Sequence, residues 1–160
     1  MKQIYIKSLR KLLQNKKDLE DKLNVKITVK GTSVSVDGEA DDEYFAQRVI
    51  EAMDFPFLVE DCLLLKDDSF MFEVINIKEF TKRHDLDVIK GRLIGTKGKT
   101  LKVLEHLSDC EIAVKDNSVA IIGPAEFFGS ARQAIISLIQ GARQGHVYGN
   151  LERGRGKWKE

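Results

Sequence analysis

Gly95 and Gly98 bracket Thr96 and Lys97 within residues 90–102, a stretch with five bases, Lys90, Arg92, Lys97, Lys99 and Lys102, and no acid. Those residue types at that spacing suit the capture of phosphate. A glycine has no Cβ, so the backbone can approach a ligand closely or adopt positive φ. A helix starting after the second glycine turns free N–H groups and the positive end of its dipole toward an anion. The five cations add charge around the same turn.

Gly98-Lys99-Thr100 also matches the end of a nucleotide-binding P-loop, which needs its first glycine five residues before the second and an apolar strand ahead of it. Position 93 is Leu, and residues 85–90 carry charge at every second or third position instead of an apolar run. The NTPase reading therefore fails on two counts. A bare G-x-x-G is equally compatible with a helix C-cap followed by a tight turn. Its surroundings decide.

Downstream, Leu101, Val103, Leu104 and Leu107 have the spacing of one buried helix face. Residues 110–114 alternate as a strand, 115–118 have turn chemistry, and 119–122 read as a second strand stopped by Gly123-Pro124. Pro124 suits the start of a helix over 125–140, with Phe128, Ala131, Ile135, Leu138 and Ile139 on its buried face. Upstream, residues 70–77 read as a further strand. The predicted order is strand, helix, G-x-x-G, helix, strand, turn, strand, helix. With Ile94 before the first glycine, this order resembles a KH domain of the βααββα kind, an RNA or single-stranded DNA reader whose loop clamps the backbone of about four nucleotides.

The chain also repeats itself. A shift of 85 residues lays 24–38 on 109–123 without a gap, and nine of the thirty pairs from 24 to 53 are identical, among them Ile27/Ile112, Val29/Val114, Ser33/Ser118, Gly38/Gly123 and Ile50/Ile135. The same shift sets Arg10-Lys11-Leu12-Leu13 where residues 95–98 stand. The first copy thus lacks both glycines and is expected to be degenerate, a packing or protein-binding surface. The second copy has about fourteen extra residues ahead of its loop, within 78–89, judged from the strand spacing. Between the copies, residues 54–66 are too apolar for a free linker and predict a short helix begun by Pro56, with Leu58, Cys62 and Leu65 on one side. The expected fold class is α+β: two tandem type I KH domains, the first degenerate, packed as one unit. The expected boundaries are 1–54, a helical connector at 55–69, the loop-bearing domain at 70–142, and an extension with a basic tail at 143–160.

At 42% apolar and 32% charged residues the chain has an ordinary globular composition, and its net charge of +1 hides local segregation. Acids gather at 37–43 and 54–68, bases at 90–102 and in the tail. No segment approaches the roughly 20 apolar residues of a membrane helix, and the first residues do not begin a signal peptide, which points to the cytoplasm. Cys62 and Cys110 sit in apolar patterns and read as buried thiols. The three histidines are scattered, His106 being placed beside the loop as a partly exposed residue. No metal site, cofactor site or catalytic constellation is indicated.

Val147-Tyr148-Gly149-Asn150, the segment from Arg92 to Thr100 and the degenerate first copy together resemble the Pno/Dim-type (partner of Nob) KH proteins of small-ribosomal-subunit biogenesis, over essentially the whole chain and at a compact length similar to the archaeal members. The resemblance implies binding to the 3′ region of small-subunit ribosomal RNA near the site cut by the Nob endonuclease, and a link to initiation factor two alpha. It implies a phosphate clamp at Gly95, Thr96, Lys97 and Gly98, surrounded by Lys90, Arg92, Lys99 and Lys102. Ile94, Leu101 and Ile112 either help form the apolar groove under the bases or are plain core. The Krr-type assembly proteins share the segment around the loop and form the near alternative. A protein-interaction adaptor on a KH framework is the alternative from another class. In the tail, Arg153, Arg155, Lys157, Trp158 and Lys159 offer either phosphate and stacking contacts or a frayed end.

Overall fold

The structure, a computed structural model, describes residues 1–158, with side chains described through residue 154. Two compact units divide at the fourth strand, Met1–Phe72 and Glu73–Glu160.

In the second unit, β4 (Phe70–Asn76) leads through a 3₁₀ turn into α4 (Leu86–Ile94), the loop, and α5 (Lys99–Ser108). The hairpin β5 (Glu111–Lys115) and β6 (Ser118–Pro124) follows, then α6 (Ala125–Ile139) and α7 (Gln144–Trp158). The sheet order is β4-β6-β5, and Ile112 pairs with Ile121 in the antiparallel hairpin. Alternation along β5 and β6 and the 3.6-residue period of α5 and α6 collect Ile75, Leu93, Leu104, Ile112, Ile121, Phe128, Ile135 and Leu138 into one core. The predicted βααββα order is present.

In the first unit, β1 (Lys2–Tyr5) is followed by a single helix, α1 (Leu9–Leu23), then β2 (Lys26–Lys30), β3 (Ser33–Asp37) and α2 (Ala40–Met53), with sheet order β1-β3-β2. The 85-residue repeat holds in three dimensions. β2 maps on β5 at both ends, α1 ends where α5 ends, and the pair Ile27 with Val36 maps on Ile112 with Ile121. Asn24 and Asp109, each closing its helix, share the left-handed conformation at φ 55° and 54°. Glu20 accepts the Ile27 N–H at 2.9 Å, as Glu105 accepts that of Ile112 at 3.1 Å. The difference lies where the extra residues of the second copy were expected. Residues 80–85 there lead into α4, which begins within the expected span at Leu86 and runs beyond it to Ile94, whereas α1 runs unbroken through residues 10–13, so the first unit is one helix short of βααββα.

The connector is helical over α3 (Val59–Leu63) and a following 3₁₀ turn, with Cys62 and Leu65 fully buried. Two expectations there are corrected. Pro56 precedes the helix instead of opening it, and Leu58 is the exposed N-cap, its place inside taken by Phe57. Both cysteines are buried thiols whose desolvation raises their pKa, to about 11 for Cys62 and about 12 for Cys110. Among the described residues, no helix is long and apolar enough to cross a membrane.

Where the sequence predicts an extension and tail, residues 144–158 form a helix. Val147 and Leu151, four apart, bury themselves in the core of the second unit. Of the tail residues, Arg153 lies on α7 and is exposed, while the side chains of Arg155, Lys157, Trp158 and Lys159 lie outside the described ones.

Candidate nucleic-acid interface

The loop joins the C-terminus of α4 to the N-terminus of α5, and its backbone explains its glycines. Gly95, Lys97 and Gly98 all have positive φ, at 75°, 55° and 74°. A Cβ on Gly95 would lie 2.8 Å from both the backbone nitrogen and Cβ of Thr100 and closer still to its hydroxyl, so this position admits no side chain. A Cβ on Gly98 would meet nothing, leaving open space over the start of α5. Thr96 and Lys97 are exposed at the tip, and Lys99 and Lys102 are exposed on the first turn of α5. The result is a short, tight, basic turn with free space in front of a helix N-terminus.

The remaining expected residues divide. Ile94 and Leu101 are half-buried and flank the loop on its two helices. Ile112 is 4% exposed and belongs to the core, so it supports the hairpin from inside and has little surface for a ligand. Lys90 pairs with Asp87 at 3.3 Å. Arg92 turns away from the tip: its guanidinium donates to the Ala142 carbonyl at 2.7 Å, a structural tie more than a mobile phosphate ligand. His106 is exposed on α5. Among the described residues, no group of three or more His, Cys, Asp or Glu side chains could hold a metal ion.

Two residues outside the expected RNA-binding set complete the site. Thr100, buried on the first turn of α5, packs its hydroxyl against Gly95. Its position two after Gly98 was the available signal, because a helical side chain leans back over the preceding turn. Gln144, the first residue of α7, donates its side-chain amide to the Arg92 carbonyl at 3.0 Å and to the Thr100 hydroxyl at 3.3 Å. Nothing local in the sequence marks it.

In the first unit the residues that align with the loop lie inside α1, and the helix start comes ahead of them at Leu9. The backbone N–H groups of Lys7 and Ser8, ahead of α1, donate to the Asp54 carboxylate at 3.0 and 2.8 Å. Lys11 donates to the carbonyls of Phe55 and Phe57 at 2.8 and 2.6 Å. An internal carboxylate thus takes two amides ahead of α1, and two internal carbonyls take Lys11, which aligns with Thr96 of the loop. Besides lacking the two glycines, the unit satisfies its own helix start.

Beside the clamp helix, burial and then a hydrogen bond with Glu105 push the Glu111 carboxyl up to about 7 from its ordinary 4.5. The folded state therefore binds more protons than the unfolded chain between pH 4.5 and 7, so stability is lost as pH rises through that window. The side chain is half open to water, so the effect is discounted for screening to about 1 kcal/mol. Glu111→Gln, neutral at every pH, is expected to raise Tm by about 2–4 °C at pH 8 and to leave it unchanged at pH 4. Thermal melts at both values check this, and an equal shift at the two would contradict it.

A sequence model of the family described as Eukaryotic type KH-domain (KH-domain type I) matches residues 71–155, a span that includes the loop and most of α7. A KH domain-containing protein of Methanocaldococcus jannaschii is 33% identical over 153 residues, covering 90% of this chain and 66% of its own. The pre-rRNA-processing protein pno1 of Emericella nidulans is 30% identical over 148 residues, covering 87% of this chain and 57% of its own. This chain thus spans less than two thirds of the length of these curated relatives. Among solved structures, a chain of the a/eIF2alpha-aDim2p-rRNA complex from Pyrococcus horikoshii OT3 superposes with a TM-score of 0.87 at 26% identity, covering 98% of this chain and 94% of that one.

Proposed function

Since the chain belongs to the Pno/Dim-type KH proteins, with their type I KH domain, we propose that it is a non-catalytic, cytoplasmic RNA-binding factor of small-subunit assembly that holds the 3′ region of the ribosomal RNA as an unpaired strand. The observation that carries the reading is the loop at residues 95–98, with three positive-φ residues, an exposed Thr96-Lys97 tip and open space over Gly98. Phosphates would pass along this turn, with Lys99 and Lys102 beside them, while Ile94 and Leu101 flank the bases. Such a groove takes about four splayed nucleotides and cannot admit a paired helix. The self-satisfied helix start of the first unit supports assigning the strand to the second. The rRNA complex of the Pyrococcus horikoshii neighbour favours this reading over a KH framework that never engages RNA. The a/eIF2alpha in the same complex supports that factor as a partner of this chain. A Nob-type endonuclease as a second partner rests on the family resemblance.

Titration with three labelled RNAs of equal length tests the assignment: the 3′-terminal small-subunit sequence, a scrambled version, and a fully paired version. The 3′-terminal strand is expected to bind tightest and the duplex weakest. Equal binding to all three would leave only a general basic surface.

A further inference from the structure

The loop's geometry depends on the angle at which α4 and α5 meet, and residues 142–144 tie both helices at that point. Arg92, in the last turn of α4, donates to Ala142 and accepts from Gln144. Thr100, in the first turn of α5, accepts from the same Gln144 amide. Thr100 is also the residue against which Gly95 packs with no room for a Cβ. One side-chain amide on α7 therefore holds the carbonyl one turn before the loop and the hydroxyl that seats its first glycine. Val147 and Leu151, buried in the core, anchor α7 itself.

We propose that Gln144 is a positioning residue for the phosphate clamp, acting through Thr100 and Arg92 to fix the conformation of residues 95–98 from the start of α7. The inference rests on the reading of that loop as the RNA clamp and extends the site to an element outside the βααββα framework. Gln144 does not touch RNA. Its removal lets α4 and α5 splay, and Lys97, whose positive φ is costly for a residue with a side chain to hold without support, relaxes toward other conformations together with the glycines beside it.

The test uses the full chain with Gln144→Met, which keeps length and apolar packing while removing both donors, and Gln133→Met as a control on the exposed part of α6. In the free protein, the backbone amide resonances of Gly95, Lys97 and Gly98 should shift and exchange faster in Gln144→Met and stay in place in the control. Affinity for an unpaired 12-nucleotide RNA should fall about tenfold, the scale of losing two hydrogen bonds. The slope of log affinity against log salt should also shrink by about 0.7 for each phosphate contact released. In the unsubstituted protein the side-chain amide protons of Gln144 should exchange slowly, a measurement that decides the matter if the variant does not fold. Loop amides that stay in place, or freely exchanging Gln144 amide protons, would overturn the proposal. Loop amides that move in a chain whose unsubstituted form binds no RNA would support the positioning role and overturn the RNA reading.

Discussion

Replacing Thr96 and Lys97 together with Asp should lower affinity for unpaired RNA by at least about a hundredfold, the scale of adding two like charges and removing one opposite charge beside phosphates, with no loss of fold. Both side chains are exposed at the tip, and neither takes part in the core of the second unit. Lys97 has φ 55°, a conformation that Asp tolerates well, so the double variant keeps the loop's backbone and changes its charge. Gly95 and Gly98 stay in place. Binding isotherms with the variant's melting temperature measured in parallel give the answer. An unchanged affinity in a folded variant would remove the loop from the site.

Gly123→Ala should cost the second unit about 3 kcal/mol, the upper part of the range for overpacking a core. Gly123 is buried on β6 beside β5, where a Cβ would lie 2.9 Å from the Cβ of Cys110 and nearer to its sulfur. The equivalent change in the first unit, Gly38→Ala, meets Asn24 O at 3.0 Å and Val25 Cγ1 at 3.1 Å and should be milder, about 1 kcal/mol. Cys110→Ala removes the sulfur, so the double variant Cys110→Ala with Gly123→Ala should be less destabilised than the sum of the single changes. Denaturant melts of the four proteins check this. Strict additivity would place the strain elsewhere.

Both glycines of that comparison were visible in the sequence as members of the repeat, and so were the hairpins, the helix faces and the loop. Each is written in a local period or a turn residue, which one pass along the chain can detect. What escaped reading depends on contacts distant in sequence. α7 contains Gly145, Gly149, Gly154 and Gly156, of a residue type that disfavours a helix interior by about 1 kcal/mol each, and it forms because Val147 and Leu151 are buried. Leu58 lost its inward place to Phe57 because the chain turns at Pro56 before the helix begins, which no periodicity shows. Arg92 has the charge expected of a phosphate ligand, yet a carbonyl fifty residues away takes its guanidinium. Gln144 and Asp54 became meaningful only once the fold brought each to a helix terminus, the first beside the loop and the second at the start of α1.

The central claim is that the second unit, through residues 95–98, is where an unpaired strand is held. Ultraviolet crosslinking of the full chain to the 3′-terminal small-subunit RNA at physiological salt, followed by mass spectrometry of the digested adducts, locates the strand directly. The expected adducts lie on peptides spanning residues 90–114, which contain the loop, the first turn of α5 and the strand that follows it. Adducts concentrated within residues 1–66 would contradict the account, because there the helix start is already filled by Asp54 and Lys11 is bound to Phe55 and Phe57.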